Sequence, residues 1–492
     1  MRSTFSASCS VVGVAASLFV QLATNCTATI EKPNIIYILT DDLGYGDIHC
    51  LNPDRGKILT PNIDKFASQG MTFTDAHSTS SVCTPTRYSI VTGRYNWRSR
   101  LQRGVLGAYD KPLIDADRLT IAGFLKKHGY RTLGVGKWHL GFNIETADRK
   151  VLTDKPVTDG PITRGFDSFW CMDLRVWPPY MYIDDDHFTG TSLQPNTRMG
   201  SEVGGKGAPG INDYAGCLPD TVDQTISKIT ELAKEEKPFF LLCSLHAPHT
   251  PLSVTPEWKG KSGLGLYGDY VMETDAEVGR VLDAIDQVGL TKNTIVIFTS
   301  DNGCAPYINV HALESKGHYP SAQFRGYKSD VWDGGHRIPY MVRWPGVIVP
   351  GAICSQLSCQ VDLLATCADI LGVELPKDGG VDSISELPLW RGKPRPARQS
   401  VVHHSFKGNF AIRDKQWKLV LCSDSGGWSR GPKSPPVQLY NMATDERESR
   451  NLEGEHPEIV SRLTEQLKEI VANGRSTPGP EQKNDVKVNI FK

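Results

Sequence analysis

Asn34-Ile35-Ile36-Tyr37-Ile38-Leu39-Thr40, followed by Asp41-Asp42, is the stretch from which the fold can be read. The run is apolar without alternation, so both of its faces want to leave water. A short run of this kind between turn signals reads as a buried strand of a parallel sheet. It ends abruptly in two adjacent carboxylates, then Gly44 and Gly46. Two neighbouring acids repel unless a cation or hydrogen-bond donors compensate them, or unless they lie in a solvated turn.

Three further runs repeat the pattern. Thr132–Val135 leads to Lys137-Trp138-His139. Pro238–Leu245 leads to His246-Ala247-Pro248-His249-Thr250-Pro251, and Thr294–Thr299 leads to Asp301-Asn302-Gly303. Amphipathic segments fall between them. Asp117–Tyr130, Pro219–Glu236 and Tyr270–Val288 each space apolar residues for one helical face, and Thr60-Pro61-Asn62 starts a shorter helix. Strands and helices in this order predict an α/β fold: a large, mostly parallel mixed sheet flanked by helices. Ligands of such sheets sit beyond the carboxyl ends of the strands. Four runs that each hand over ionisable groups at that end point to one shared site.

The pattern changes after a last helix, Val361–Leu371. Residues 377–398 read as a linker. Val401–His404, Phe410–Ile412 and Trp417–Leu421 read as short strands, and Glu458–Val471 as a terminal helix. The expected organisation is a signal peptide over 1–28, a catalytic domain over 29–376, the linker, and a smaller α+β domain with an antiparallel sheet over 399–492. The signal reading rests on Arg2, the apolar run Val11–Ala23 and the small Ala28; a secreted or periplasmic protein is expected. No later segment is long enough to span a bilayer. The formal net charge of −1 over 492 residues gives no basic excess for nucleic acid. The 12 cysteines include no CxxC pair suggestive of zinc, and Cys354 and Cys359 are close enough in sequence to bridge. Within residues 141–217, Trp170, Trp177, Pro178, Pro179, Tyr180 and Tyr182 lie near Asp184, Asp185 and Asp186, a composition that suits either a sugar-binding rim or a packed insertion.

Ser81-Val82-Cys83-Thr84-Pro85-Thr86-Arg87 places a cysteine at a helix start, with Pro85 in the first turn and Arg87 one turn later on the same face. A helix N-terminus favours anions. An ordinary helix start with a surface thiol is the plainer reading of the same residues. Asp41, Asp42, Asp301 and Asn302 are all hard oxygen donors, a set suited to Ca²⁺ or Mg²⁺ and not to zinc. Arg87, Lys137, His139, His249 and Lys328 together can surround a tetrahedral anion.

Cys83-x-Pro85-x-Arg87 followed by Thr92-Gly93-Arg94 resembles the signature of the type I sulfatases, which share the alkaline phosphatase superfamily fold. Thr86 and Ile90 stand where that family most often has serine and leucine. Gly136-Lys137-Trp138-His139, Ala247-Pro248-His249-x-Pro251, and Lys328 before Gly334-Gly335 extend the resemblance. It implies that Cys83 is oxidised to formylglycine by a formylglycine-generating or anaerobic sulfatase-maturing enzyme. It implies a metal held by Asp41, Asp42, Cys83, Asp301 and Asn302, calcium before magnesium. Lys137 and Lys328 would hold sulfate oxygens, and Arg87 would orient the nucleophile. His249 would be general acid to the leaving alcohol with Lys328 assisting, and His139 would take the proton that allows sulfate to leave. The family histidine matches His249, which leaves His246 as a residue lining the strand end. The expected activity is hydrolysis of sulfate esters on a sugar. The Cys83 and Lys328 neighbourhoods resemble bacterial enzymes acting on 6-O-sulfated galactose or N-acetylgalactosamine. The alternatives are a phosphodiesterase or phosphonate monoester hydrolase, and, from another class, a non-catalytic secreted glycan-binding protein.

Overall fold

A computed structural model describes Met1 and residues 32–492, apart from 108–109, 149, 172–180, 195–205, 208–213, 394–397 and 432–434. The proposed signal segment and Trp177, Pro178, Pro179 and Tyr180 lie outside the described residues. Residues 32–492 form one compact unit. No helix among the described residues is long and apolar enough to cross a membrane.

The Asn34–Thr40 strand lies inside an 11-stranded sheet. Across the sheet the order is Lys206–Gly207, His187–Gln194, Met181–Asp184, Ser168–Cys171, Arg131–Gly136, Phe239–Ser244, Asn34–Thr40, Thr294–Ser300, Tyr340–Arg343, Met71–Phe73 and Ala352–Cys354. The five strands from Ser168–Cys171 to Thr294–Ser300 run parallel, and antiparallel pairings lie to either side. The unalternating apolar run has a simple cause. Ile35, Tyr37 and Leu39 enter one core and Ile36 and Ile38 the other. The helix Cys83–Thr92 and Ile121–Lys127 pack on the first side; Pro61–Gln69, Cys217–Leu232 and Leu266–Gln287 pack on the second.

Register brings the strand ends level. Thr40 pairs with Ser300, Leu39 with Ser244, and Ser244 with Gly136. Whatever follows these residues emerges at one edge. Gly136 makes the turn possible: its φ is +99°, and a Cβ there would sit 2.0 Å from the Ser244 carbonyl oxygen. That close approach lets the Lys137 amide donate to the same oxygen at 2.7 Å.

The smaller antiparallel sheet has the order Ser400–His404, Phe410–Asp414, Trp417–Val420, Gln438–Asn441, and the helix Pro457–Ala472 covers it with Leu463, Leu467 and Ile470. Among the described residues of 377–398, Val381, Asp382 and Trp390 are buried, and Leu387–Trp390 is a helical turn. Asp382 explains the packing, since it accepts from Arg98 Nε and Nη2, both at 2.8 Å. Cys359 is a free thiol, so it forms no bridge to Cys354. Trp170 and Tyr182 are buried against one another, ring centroids 4.1 Å apart, and so offer no open sugar platform. Tyr182 lies on Met181–Asp184, which pairs antiparallel with the Ser168–Cys171 strand that carries Trp170.

Lys418, on the smaller sheet, is fully buried between Asp333 Oδ1 at 2.7 Å and Glu448 Oε1 at 2.8 Å. Removing the ammonium would leave two buried acids facing each other. Lys418→Met is expected to cost roughly 3–5 kcal/mol of stability. Urea unfolding of the variant beside the parent chain measures it; a loss below ~1 kcal/mol would show that the acids find other partners.

Candidate active site

Four strand ends and one helix start converge. Asp41 and Asp42 follow the first strand, Lys137 and His139 follow Arg131–Gly136, His246 and His249 follow Phe239–Ser244, and Asp301 and Asn302 follow Thr294–Ser300. Cys83 is the first residue of its helix and only 2 % exposed. Its sulfur and carboxylate oxygens of Asp41 and Asp301 lie within 4.8 Å of one another. Arg87, one helical turn on, shares that face as its spacing predicts. Its Nε donates to Asp301 Oδ2 at 2.9 Å, and its Nη1 to Ser244 Oγ at 2.6 Å and the Lys137 carbonyl at 3.1 Å.

Each remaining acid holds a lysine. Lys137 Nζ donates to Asp41 Oδ2 at 2.6 Å, and Lys328 Nζ to Asp42 Oδ2 at 2.7 Å. Asp42 occupies the left-handed region at φ +65°, which turns its carboxylate back to the cluster, where Asn302 Nδ2 also donates to it at 2.8 Å. His249 Nε2 stands 3.6 Å from Asp42 Oδ2, while its Nδ1 donates to the Thr250 carbonyl. The structure thus gathers Asp41, Asp42, Cys83, Arg87, Lys137, His249, Asp301, Asn302 and Lys328. His139 is also left-handed at φ +57°, and its Nε2 donates to the Leu106 carbonyl at 2.9 Å, which leaves Nδ1 as the ring's basic nitrogen. His246 is buried at the strand end.

Electrostatics separate the acids. Burial alone would raise Asp41, but Lys137, His249 and Arg87 hold it well below the usual carboxylate range. Burial and the negative charge of Asp41 push Asp301 well above that range in spite of Arg87. Burial opposes the charge on Lys328, yet Asp42 outweighs it and raises the ammonium. Burial and Lys328 push His249 down to about 4. Among the described residues Asp41 Oδ1 and Asn302 Oδ1 are buried with no hydrogen-bond partner. Orphaned oxygens beside a carboxyl driven toward protonation are what a cation would relieve, so Asp41, Asp42, Asp301 and Asn302 fit a hard divalent metal.

Sequence reasoning missed Ser244, whose hydroxyl also donates to the Lys137 carbonyl at 2.6 Å, and Tyr307, whose hydroxyl lies 3.4 Å from Asp42 Oδ2. A polar residue closing an apolar strand was the available signal for Ser244. Tyr307 gave none, because its 3₁₀ turn Pro306–Ile308 has no strong pattern.

The description Sulfatase matches residues 33–373 of the chain. The chain belongs to the sulfatase family. This sulfatase is a sulfuric ester hydrolase. Its residues 327–473 also match the description "N-sulphoglucosamine sulphohydrolase, C-terminal". It is similar to an N-acetylgalactosamine-6-O-sulfatase of Bacteroides thetaiotaomicron, 34% identical over 89% of this chain and 93% of that protein. Arylsulfatase A of Homo sapiens is 30% identical, over 96% and 94% respectively. A solved structure from Bacteroides thetaiotaomicron, concerned with the metabolism of multiple glycosaminoglycans, superposes on the sulfatase with a TM-score of 0.78 at 30% identity, covering 89% of this chain and 99% of that one.

Proposed function

We propose that this sulfatase removes 6-O-sulfate from N-acetylgalactosamine or galactose units of a sulfated glycan. The observation that supports the chemistry most is the matched set around Cys83: three acids, each paired with a cation, two of them lysines that could be released to an anion. The N-acetylgalactosamine-6-O-sulfatase relative supports the sugar. Asp41, Asp42, Asp301 and Asn302 would hold Ca²⁺, with Mg²⁺ the alternative. Cys83 would be the nucleophile's position as formylglycine, formed by a maturing enzyme during export to the periplasm or exterior, as the pattern of residues 1–28 supports. The cation held by those residues would supply Lewis-acid activation of an oxygen nucleophile, and formylglycine at position 83 would supply two hydroxyls, one to attack sulfur and one whose deprotonation would let sulfate leave.

The side chains then divide the work. Lys137 and Lys328 now neutralise Asp41 and Asp42; with those acids engaged in holding a metal, both ammonium groups would be available to sulfate oxygens. Arg87 stays on Asp301 and fixes the helix start against the strand end. His139 Nδ1 can accept a proton because Nε2 is committed to Leu106. His249 presents Nε2 to the pocket. Lys328 helps to keep it neutral now, and a sulfate monoester engaging Lys328 would offset that charge and raise His249 toward the protonated form a general acid needs.

Turnover of an aryl sulfate beside an aryl phosphodiester, followed by a library of position-defined sulfated saccharides, tests the reading. The 6-O-sulfated N-acetylgalactosamine and galactose compounds should lead. A preference for another ring position would replace the substrate, and a preference for the phosphodiester would replace the chemistry. His249→Ala should lower kcat/KM on sugar sulfates by roughly 100- to 10,000-fold. Nitrophenyl sulfate, whose leaving group needs little protonation, should suffer far less. His246→Ala should act mainly on KM; the opposite pattern would exchange the two histidines.

A further inference from the structure

The smaller sheet sends one loop, residues 422–431, to the rim of the active site. Its tip is Trp428, 40 % exposed, and beside it stands Tyr307, 50 % exposed, with ring centroids 5.8 Å apart. Phe406 packs behind Trp428 at 5.1 Å. The inner end of this row is Tyr307 OH, 3.4 Å from Asp42 Oδ2. Two large apolar rings are therefore open to water within one side chain's length of the sulfate pocket.

The loop is held, not loose. The Trp428 amide donates to Ser329 Oγ at 2.8 Å, the Ser429 amide to Asp330 Oδ1 at 3.1 Å, and the Val331 amide to the Ser425 carbonyl at 2.7 Å. These partners immediately follow Lys328. Gly427 permits the contact: a Cβ there would lie 2.4 Å from the Ser329 carbonyl oxygen. An exposed tryptophan fixed in place loses little freedom on binding and leaves apolar surface to be covered.

Resting on the carbohydrate reading above, we propose that Trp428 and Tyr307 form a stacking ledge for the sugar ring that carries, or adjoins, the scissile sulfate. A sulfate anchored between Lys137 and Lys328 brings its ring out over this rim. The C–H face of a pyranose matches an aromatic plane, and the Tyr307 hydroxyl can take a ring hydroxyl. Two rings are too small an area for a stable protein partner, which needs on the order of 1,000 Å². Exposed Ser423 and Arg430 give the loop polar flanks suited to sugar hydroxyls. Trp428 is thus a specificity-determining residue contributed by the smaller sheet to a site built on the larger one.

The test uses the full-length mature enzyme and its best sulfated mono- or disaccharide. Trp428→Ala should raise KM about tenfold or more while kcat moves less than about twofold. Competitive inhibition by inorganic sulfate, which reads the anion pocket alone, should not change. Trp428→Phe should restore most of the lost affinity. Unchanged KM for Trp428→Ala, sulfate inhibition weakened in parallel, or no rescue by Trp428→Phe would each overturn the ledge while leaving the carbohydrate reading intact. An enzyme that turns over aryl sulfate and no sulfated sugar would overturn both.

Discussion

Cys83→Ser reacts with a sulfate ester at most once. A serine at the helix start offers one hydroxyl to sulfur, so it can accept sulfate. It has no second hydroxyl from which His139 could take a proton, so the bond to sulfate cannot be expelled by elimination. The variant should stay sulfated, visible by intact mass, while its steady-state rate falls to background. Cys83→Ala should bind the substrate without any turnover. In the active enzyme, the tryptic peptide ending at Arg87 should be lighter than its cysteine form and should take an aldehyde-reactive label. Sustained turnover by the serine variant, or an unmodified Cys83 in fully active enzyme, would refute formylglycine chemistry here.

Removal of the metal should be nearly as damaging. Exhaustive chelation is expected to abolish activity, and Ca²⁺ to restore it. Calcium at about 100 times its dissociation constant should stabilise the native chain by ~2.7 kcal/mol, seen as a rise in Tm. Asp301→Ala should be inactive, and its Tm should no longer respond to calcium. That second readout matters, because the variant also strips Arg87 of a buried partner and would lose stability on that account alone. Full activity after chelation, with metal analysis clean, would sink the assignment.

The parallel centre of the fold was legible because its strands are buried on both faces, so Asn34–Thr40, Phe239–Ser244 and Thr294–Ser300 carry unbroken apolar runs. The long helices were legible from periodicity, to within a few residues at each end. The flanking antiparallel strands were not. Met71–Phe73 and Ala352–Cys354 are three residues each, too short to show a period, and Tyr340–Arg343 mixes aromatic, apolar and charged residues. The gathering of Asp41, Asp42, Asp301 and Asn302 followed from where the apolar runs stop. Trp428 could not be anticipated. Its place at the rim depends on a loop of the second sheet clamped to Ser329 and Asp330, a contact across about a hundred residues that leaves no local pattern.

The burial of Cys83 has a meaning in time. At 2 % exposure, at the head of a helix whose ten residues are all buried, position 83 of the folded chain can admit a small sulfate ester but is too narrow for the active site of a second enzyme. The sheet that confines it pairs Thr40 with Ser300, so closure waits until some three hundred residues have been made. On the reading proposed here, an oxidising partner therefore competes with folding itself. The fraction of active enzyme is set by which arrives first, and slower folding during export should yield more of it.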